Sequence, residues 1–265
     1  MLAPASIHRF AVVALLAFSS LALAQAPAAS TYEPQVGQEG KDVVWVPTPQ
    51  TLVNKMLDMA KLTPKDFHMD LGSGDGRTVI TAAKRGARSM GIEYNPDMVE
   101  LAKRNAEKAG VSARATFVKA DLFETDFSKA TVITLFLLPD INLRLRPKIL
   151  DMKPGTRIVS NTFTMGDWKA DETGNADNGC ESSWCTALLW IVPAKVAGSY
   201  KTPQGDVTLK QEFQMLSGTL RADGKTSALE GKVLGELISF HAGGKSYQGK
   251  LNGRQLELQP VAARR

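Results

Sequence analysis

Cysteine and histidine are scarce, with Cys180 and Cys185 the only cysteines and His8, His68 and His241 the only histidines in 265 residues. No subset of them has metal-ligand spacing, so no metal is expected. Clustered positive charge is missing as well. The net charge is +5, but Lys and Arg are scattered along the chain, and no basic patch invites a nucleic-acid partner. The one long apolar run, Phe10 to Leu23, falls short of the roughly 20 residues that span a bilayer. What remains is 43% hydrophobic and 22% charged, enough to bury a full core and, at this length, suggestive of two domains.

His8 and Arg9 precede that apolar run, and Ala22-Leu23-Ala24 stands just before Gln25. The pattern predicts a secretory signal peptide over 1–24, cleaved after Ala24, and a periplasmic or secreted product. An uncleaved signal anchor is the alternative, and it also places the rest of the chain outside the cytoplasm. Once the signal is removed, no stable membrane span is expected. Residues 25–41, rich in Ala, Pro, Gln and Gly, read as a flexible lead-in.

The most informative stretch is Asp70-Leu71-Gly72-Ser73-Gly74-Asp75-Gly76, which follows a short apolar strand and opens into the helical run Arg77 to Lys84. Glycines at alternate positions let the backbone turn sharply and come close to a ligand. The loop does not continue as a Gly-Lys-Ser/Thr phosphate cradle. A second strand, Ser89 to Ile92, ends in Glu93, where an acid hydrogen-bonds ribose hydroxyls, so a ribose-bearing cofactor is implied. A third acidic strand end follows in Phe117 to Leu122, with Asp121.

Together these segments resemble motifs I to III of the class I S-adenosylmethionine-dependent methyltransferases, over residues 45 to 192. The resemblance implies S-adenosylmethionine as cofactor, held by Asp70, Gly72, Ser73, Gly74, Gly76, Glu93, Asp121 and Leu122. Upstream, Val43-Val44-Trp45-Val46-Pro47-Thr48-Pro49 precedes a helix expected over Gln50 to Lys61. That segment is similar to the archaeal protein lysine methyltransferases and to the mitochondrial enzymes that modify ATP synthase subunit c and the adenine nucleotide translocase. A protein lysine acceptor is thereby implied. Read without the resemblance, the segment is a Pro-stiffened helix entry with Thr48 as N-cap.

The fourth strand, expected over Thr131 to Leu138, leads to Pro139-Asp140, where many amine-methylating relatives carry Asn or Asp ahead of Pro-Pro and an aromatic. The order is altered here. Asp140 is the catalytic candidate, with an N-cap for the next turn as the alternative role. Other acceptors, a small molecule or a lipid, stay open, and so does a non-catalytic envelope protein that keeps the fold.

Strand-helix alternation through Ser160 predicts an α/β, Rossmann-like doubly wound sheet, closed by a hairpin ending at Thr186 to Val192. His68, on the central strand, reads as a satisfied core histidine. Trp168, Trp184 and Trp190 read as core or as walls of the acceptor side. Cys180 and Cys185 are close enough in sequence to pair in an oxidising compartment. After Pro193 the period changes to two, broken at 203–206, Asp223-Gly224, Gly243-Gly244 and Asn252-Gly253. About six short strands over 196–265 predict a small antiparallel β domain behind a methyltransferase domain over 42–193.

Overall fold

The computed structural model describes Met1 and residues 32–176, 180 and 183–261. Met1 aside, the expected signal peptide and the start of the lead-in lie outside the described residues.

Helix α1 (Gln50–Met59) precedes β1 (Phe67–Leu71), α2 (Arg77–Lys84), β2 (Arg88–Glu93), α3 (Pro96–Lys108) and β3 (Ala115–Lys119). The chain continues through β4 (Val132–Leu135), α4 (Pro139–Leu150), β5 (Arg157–Asn161), β6 (Glu172–Asn175) and β7 (Thr186–Ile191). These strands form one mixed sheet in the order β3-β2-β1-β4-β5-β7-β6. β1 to β5 are parallel, while β7 runs against β5 and β6 against β7. The order reverses between β1 and β4, and such a reversal opens a crevice above the carboxyl ends of the strands.

Alternation along the strands divides the core. Val132, Val159, Ala187 and Leu189 face α1, which contributes Leu52, Met56 and Met59 at helical spacing. Their neighbours Ile133, Ile158, Leu188 and Trp190 point to the other face, where α4 lays down Ile141, Leu145 and Ile149. α3 begins where its sequence directs: the Asn95 side chain accepts from Asp97 N and Met98 N, and Pro96 fills the first turn. Thr48 is not the cap of α1. Pro49 holds that position, while the Thr48 carbonyl accepts from the Arg77 guanidinium at 3.0 Å.

His68 is fully buried and hydrogen-bonded to Ser89 (2.6 Å) and Thr134 (2.8 Å), and burial pulls it down to about 3, so it stays neutral. Trp168 and Trp190 are wholly buried. Cys180 and Cys185 form a disulfide in the loop between β6 and β7.

The second sheet is an antiparallel meander of β8 (Gly198–Thr202), β9 (Gly205–Glu212), β10 (Met215–Ala222), β11 (Lys225–Leu234), β12 (Leu237–Ala242), β13 (Lys245–Asn252) and β14 (Gln255–Val261). It curls until β14 lies beside β8, giving a nearly barrel-shaped sheet around Val207, Leu220, Val233, Ile238 and Phe240. The strand number is seven rather than about six, because turns at Phe213-Gln214 and Gly235-Glu236 also divide the chain. Leu237 is exposed and Ile238 takes the interior position. Phe213 is not an interior residue of this sheet. It sits in the β9–β10 turn at φ +50 and stacks on Trp168 of the first sheet's core, with ring centroids 6.1 Å apart. Gln214 beside it donates to Lys169 O (2.8 Å), and Ala194 N donates to Gly235 O (2.7 Å). No local turn signal marks Phe213, because its contacts fix a backbone that a bulky residue otherwise avoids.

Candidate active site

The strand-to-helix turn after β1 is built by its own backbone. Gly72 N and Ser73 N both donate to Ile92 O on β2, at 2.9 and 3.0 Å, and Gly76 N returns to Ser73 O at 2.9 Å. Gly76 caps α2 in the left-handed region, at φ +83. Gly74 has a further reason to be glycine, since a Cβ there would stand 2.6 Å from the Trp45 indole nitrogen. Trp45 thus lies directly on the loop.

Glu93, at the end of β2, is fixed by two backbone donors: Gly74 N to Oε2 and Asn95 N to Oε1, each 2.9 Å. Its carboxylate is locked in direction and keeps lone pairs for a ligand. Asp121 lies two residues past β3 instead of on it; its Oδ1 accepts from Phe123 N at 2.9 Å, and its Oδ2 pairs with Lys41. That hydrogen bond holds the Asp121 carboxyl below its ordinary value and raises Lys41. The Lys41 ammonium also stands 4.7 Å from the Tyr94 ring centre.

Lys41 belongs to a hairpin that composition alone assigns to a flexible lead-in. Gly37 N donates to Trp45 O (2.8 Å), Trp45 N to Gln38 O (2.9 Å) and Gly40 N to Val43 O (2.9 Å). This strap lines one side of an open cavity of about 580 Å³ at the strand ends. The lining includes Asp70, Gly72, Ser73, Gly74, Glu93, Asp121 and Leu122, so all but one of the expected cofactor residues converge. Gly76 lies just behind, shaping the turn against Phe117.

Asp70 is buried at the floor of the cavity, and Thr134 Oγ1 donates to its Oδ1 at 2.6 Å. Burial, opposed by that bond and reinforced by Glu93 and Asp75, raises its carboxyl to about 7. The sign follows directly. Between the unfolded value near 3.8 and about 7 the folded chain holds the extra proton, so this contribution to stability is complete at low pH and lost as pH rises through 7. The gap corresponds to on the order of 4 kcal/mol. We expect Asp70→Asn to flatten the stability profile of the unliganded protein between about pH 4 and 7, the span of the shift. Urea unfolding at several pH values checks it, and parallel profiles for wild type and variant exclude it.

Asp140 does not reach the cavity. β4 ends at Leu135, residues 136–138 are extended, and Pro139 starts α4, leaving Asp140 exposed in the first helical turn while Ile141 lines the cavity. It is not the N-cap either, since Leu138 occupies that place. On this side the lining is apolar and aromatic: Leu135, Phe136, Leu137, Phe163 and Trp184, with Thr48 the nearby hydroxyl. Phe136 stacks on Phe163 at 5.7 Å and meets Trp184 edge-on at 5.9 Å. Neither the strap nor this aromatic wall has a local signature, because each is assembled from segments far apart in the chain.

The donor set suits the cofactor that the sequence resemblance implies. A locked carboxylate at the end of β2, a second past β3, and a close-approach glycine turn at the reversal of strand order are what an adenosyl group needs. Ser73 Oγ is buried beside that turn, against Gly91, without a hydrogen-bond partner among the described residues.

Residues 70–172 match the ANTKMT methyltransferase domain. The protein-lysine N-methyltransferase of Saccharolobus islandicus is 44% identical over 153 residues, 57% of this chain and 94% of that protein. The adenine nucleotide translocase lysine N-methyltransferase of Mus musculus is 37% identical over 103 residues, 38% of this chain and 45% of its own length. The chain therefore spans nearly all of the archaeal relative and about half of the mammalian one. A crystal structure described as an RNA methyltransferase from Salinibacter ruber, in complex with S-adenosylhomocysteine, is 44% identical with a TM-score of 0.53, covering 57% of this chain and 96% of that one.

Proposed function

Because the chain belongs to the class I S-adenosylmethionine-dependent methyltransferases, in the family of the archaeal protein-lysine enzyme, we propose that its methyl acceptor is a lysine side chain of another protein. The observation that carries this reading is the 44% identity across almost the whole of that relative. Electrostatics support it. Six carboxyl side chains line the cavity (Glu39, Asp42, Asp70, Asp75, Glu93 and Asp121) against two cationic ones (Lys41 and Arg77). With Asp121 paired to Lys41, Asp75 to Arg77 and Asp70 holding its proton up to about pH 7, Glu39, Asp42 and Glu93 leave the nucleoside side negative, which disfavours a phosphate backbone there.

When bound, S-adenosylmethionine supplies a methyl group on a positively charged sulfur. The chain supplies position. Glu93 and Asp121 hold the nucleoside end, on a Rossmann-like class I scaffold, while the β4 and β5 side is left for the acceptor. No carboxylate lines that side among the described residues, so deprotonation rests on surroundings: an apolar, aromatic wall disfavours the ammonium form and lowers the amine's pKa. Alignment of a neutral amine is then the main contribution, a class of effect worth about 7 to 11 kcal/mol.

The N-terminal pattern and the Cys180–Cys185 disulfide together support an exported protein, cleaved after Ala24. Mass spectrometry of the protein from its native host should find Gln25 at the N-terminus; an intact chain in the cytoplasm overturns export. For the acceptor, purified protein is incubated with methyl-labelled S-adenosylmethionine and envelope extract. Label is expected on lysine in protein, mapped by peptide mass spectrometry, and label in the lipid or small-molecule fraction instead overturns the lysine reading.

A further inference from the structure

Phe136, Phe163 and Trp184 are partly exposed aromatic side chains gathered on one wall of the cavity, unlike Trp168, Trp190 and Phe127, which are completely buried in the core. Phe136 follows β4, Phe163 follows β5, and Trp184 comes from the loop before β7, so three separate strand ends converge on the same space. The acids that fit a nucleoside lie across the cavity, on the β2 and β3 side. Leu137 marks how near the wall comes to the cofactor turn: its Cδ2 would be 3.1 Å from a Cβ at Gly72.

Trp184 is also tethered. It immediately precedes Cys185, whose disulfide to Cys180 closes a five-residue separation, and Cys185 Sγ lies 3.2 Å from Cys180 O. A short covalent ring next to the indole restricts where its backbone can go. From the other side, Phe163 is set by a tight turn in which its N–H donates to Asn161 O at 2.6 Å and its carbonyl accepts from Ser160 Oγ at 2.7 Å. Aromatic rings have an apolar body with a negatively polarised face, suited to a hydrocarbon stem that ends in a cation.

We propose that Phe136, Phe163 and Trp184 form a specificity-determining wall that takes the aliphatic stem of the acceptor side chain, and that the Cys180–Cys185 disulfide positions Trp184 within it. The occupant is a lysine stem, and this part rests on the lysine reading above. In an oxidising compartment the wall is complete; reduction loosens one side of it without touching the cofactor residues.

The test uses calorimetric titration of the full mature chain with three probes: S-adenosylhomocysteine, and two conjugates of its nucleoside and amino acid halves in which nitrogen replaces sulfur. The butylamine conjugate is joined through its amine by a two-carbon link, so that this amine sits beside the methyl position and the butyl stem points outward; the butyl conjugate has carbon in place of that amine. Wild type is expected to bind the butylamine conjugate at least about tenfold tighter than S-adenosylhomocysteine, the scale of burying a few methylenes. Trp184→Ala and Phe163→Leu should lose most of that gain with S-adenosylhomocysteine affinity unchanged, and the Cys180→Ser/Cys185→Ser double variant should lose part of it while keeping every aromatic. If the butyl conjugate gains and the butylamine conjugate does not, the wall stands and the lysine reading falls. A gain that survives in Trp184→Ala and Phe163→Leu, or no gain from either conjugate, overturns the wall. An unchanged double variant overturns the positioning role of the disulfide.

Discussion

Glu93→Ala is expected to weaken S-adenosylhomocysteine binding by about a hundredfold, the largest effect of any single substitution in the nucleoside site. Hydrogen bonds from ribose hydroxyls to a carboxylate contribute about 1.5 to 3 kcal/mol each before water compensates, and tenfold in affinity corresponds to about 1.4 kcal/mol. The carboxylate also anchors Gly74 N and Asn95 N, so its removal frees the glycine turn and the entry to α3. Glu93→Gln sharpens the argument. A carboxamide presents a donor to one of those two N–H groups, so the variant should lose affinity despite its nearly unchanged shape. Calorimetric titration with circular dichroism as a check of fold tests both, and an affinity within threefold of wild type in a folded Glu93→Ala protein removes Glu93 from the site.

The second large effect is on stability. A chain ending at residue 195 is expected to unfold about 10 °C lower than the chain to 265, yet to bind S-adenosylhomocysteine with an affinity within about threefold. The loss comes from the β9–β10 turn. Burial of an aromatic side chain is worth about 1.5 to 3 kcal/mol and its stacking about 0.5 to 1.5 more. Phe213, partly buried, supplies a share of the first and the stacking on Trp168, and the Arg146 guanidinium lies 5.2 Å from its ring centre. The hydrogen bond from Gln214 to Lys169 O adds about 1 kcal/mol. Binding is spared because, among the described residues, none beyond Trp184 lines the cavity. Thermal unfolding and titration of the two chains decide it; a tenfold drop in affinity of a folded fragment shows that the β sheet preorganises the site.

What could be read in the sequence is what adjacent residues decide between themselves. The turn from Asp70 to Gly76 and the acid at Glu93 are legible because glycine placement and strand ends are local facts. Asp121 is legible as an acid but not as a strand residue, since β3 stops at Lys119. Asp140 is legible as an acid, but its place outside the cavity lining depends on where β4 stops, and that is set by pairing with β1 and β5. Trp45 over Gly74, Lys41 on Asp121 and the meeting of Phe136, Phe163 and Trp184 are contacts between distant segments. No window of sequence contains them. Phe213 is the sharpest case, a residue whose backbone contradicts its own preference because Trp168 holds it.

The meander places its turns alternately at two ends. Those at Phe213-Gln214 and Gly235-Glu236 lie against the first sheet, so the turns at 203–204, 223–224 and 243–244 stand at the opposite end. A Cβ added at Gly224 or Gly244 would meet nothing within 4 Å. Extra residues entered there lengthen a loop that touches nothing else, and loop entropy grows only slowly with length. An epitope, a fluorophore site or a surface-immobilisation handle grafted into these tips leaves both the cavity mouth and the seam between the sheets clear, which neither a label near the strap nor one at Phe213 can do.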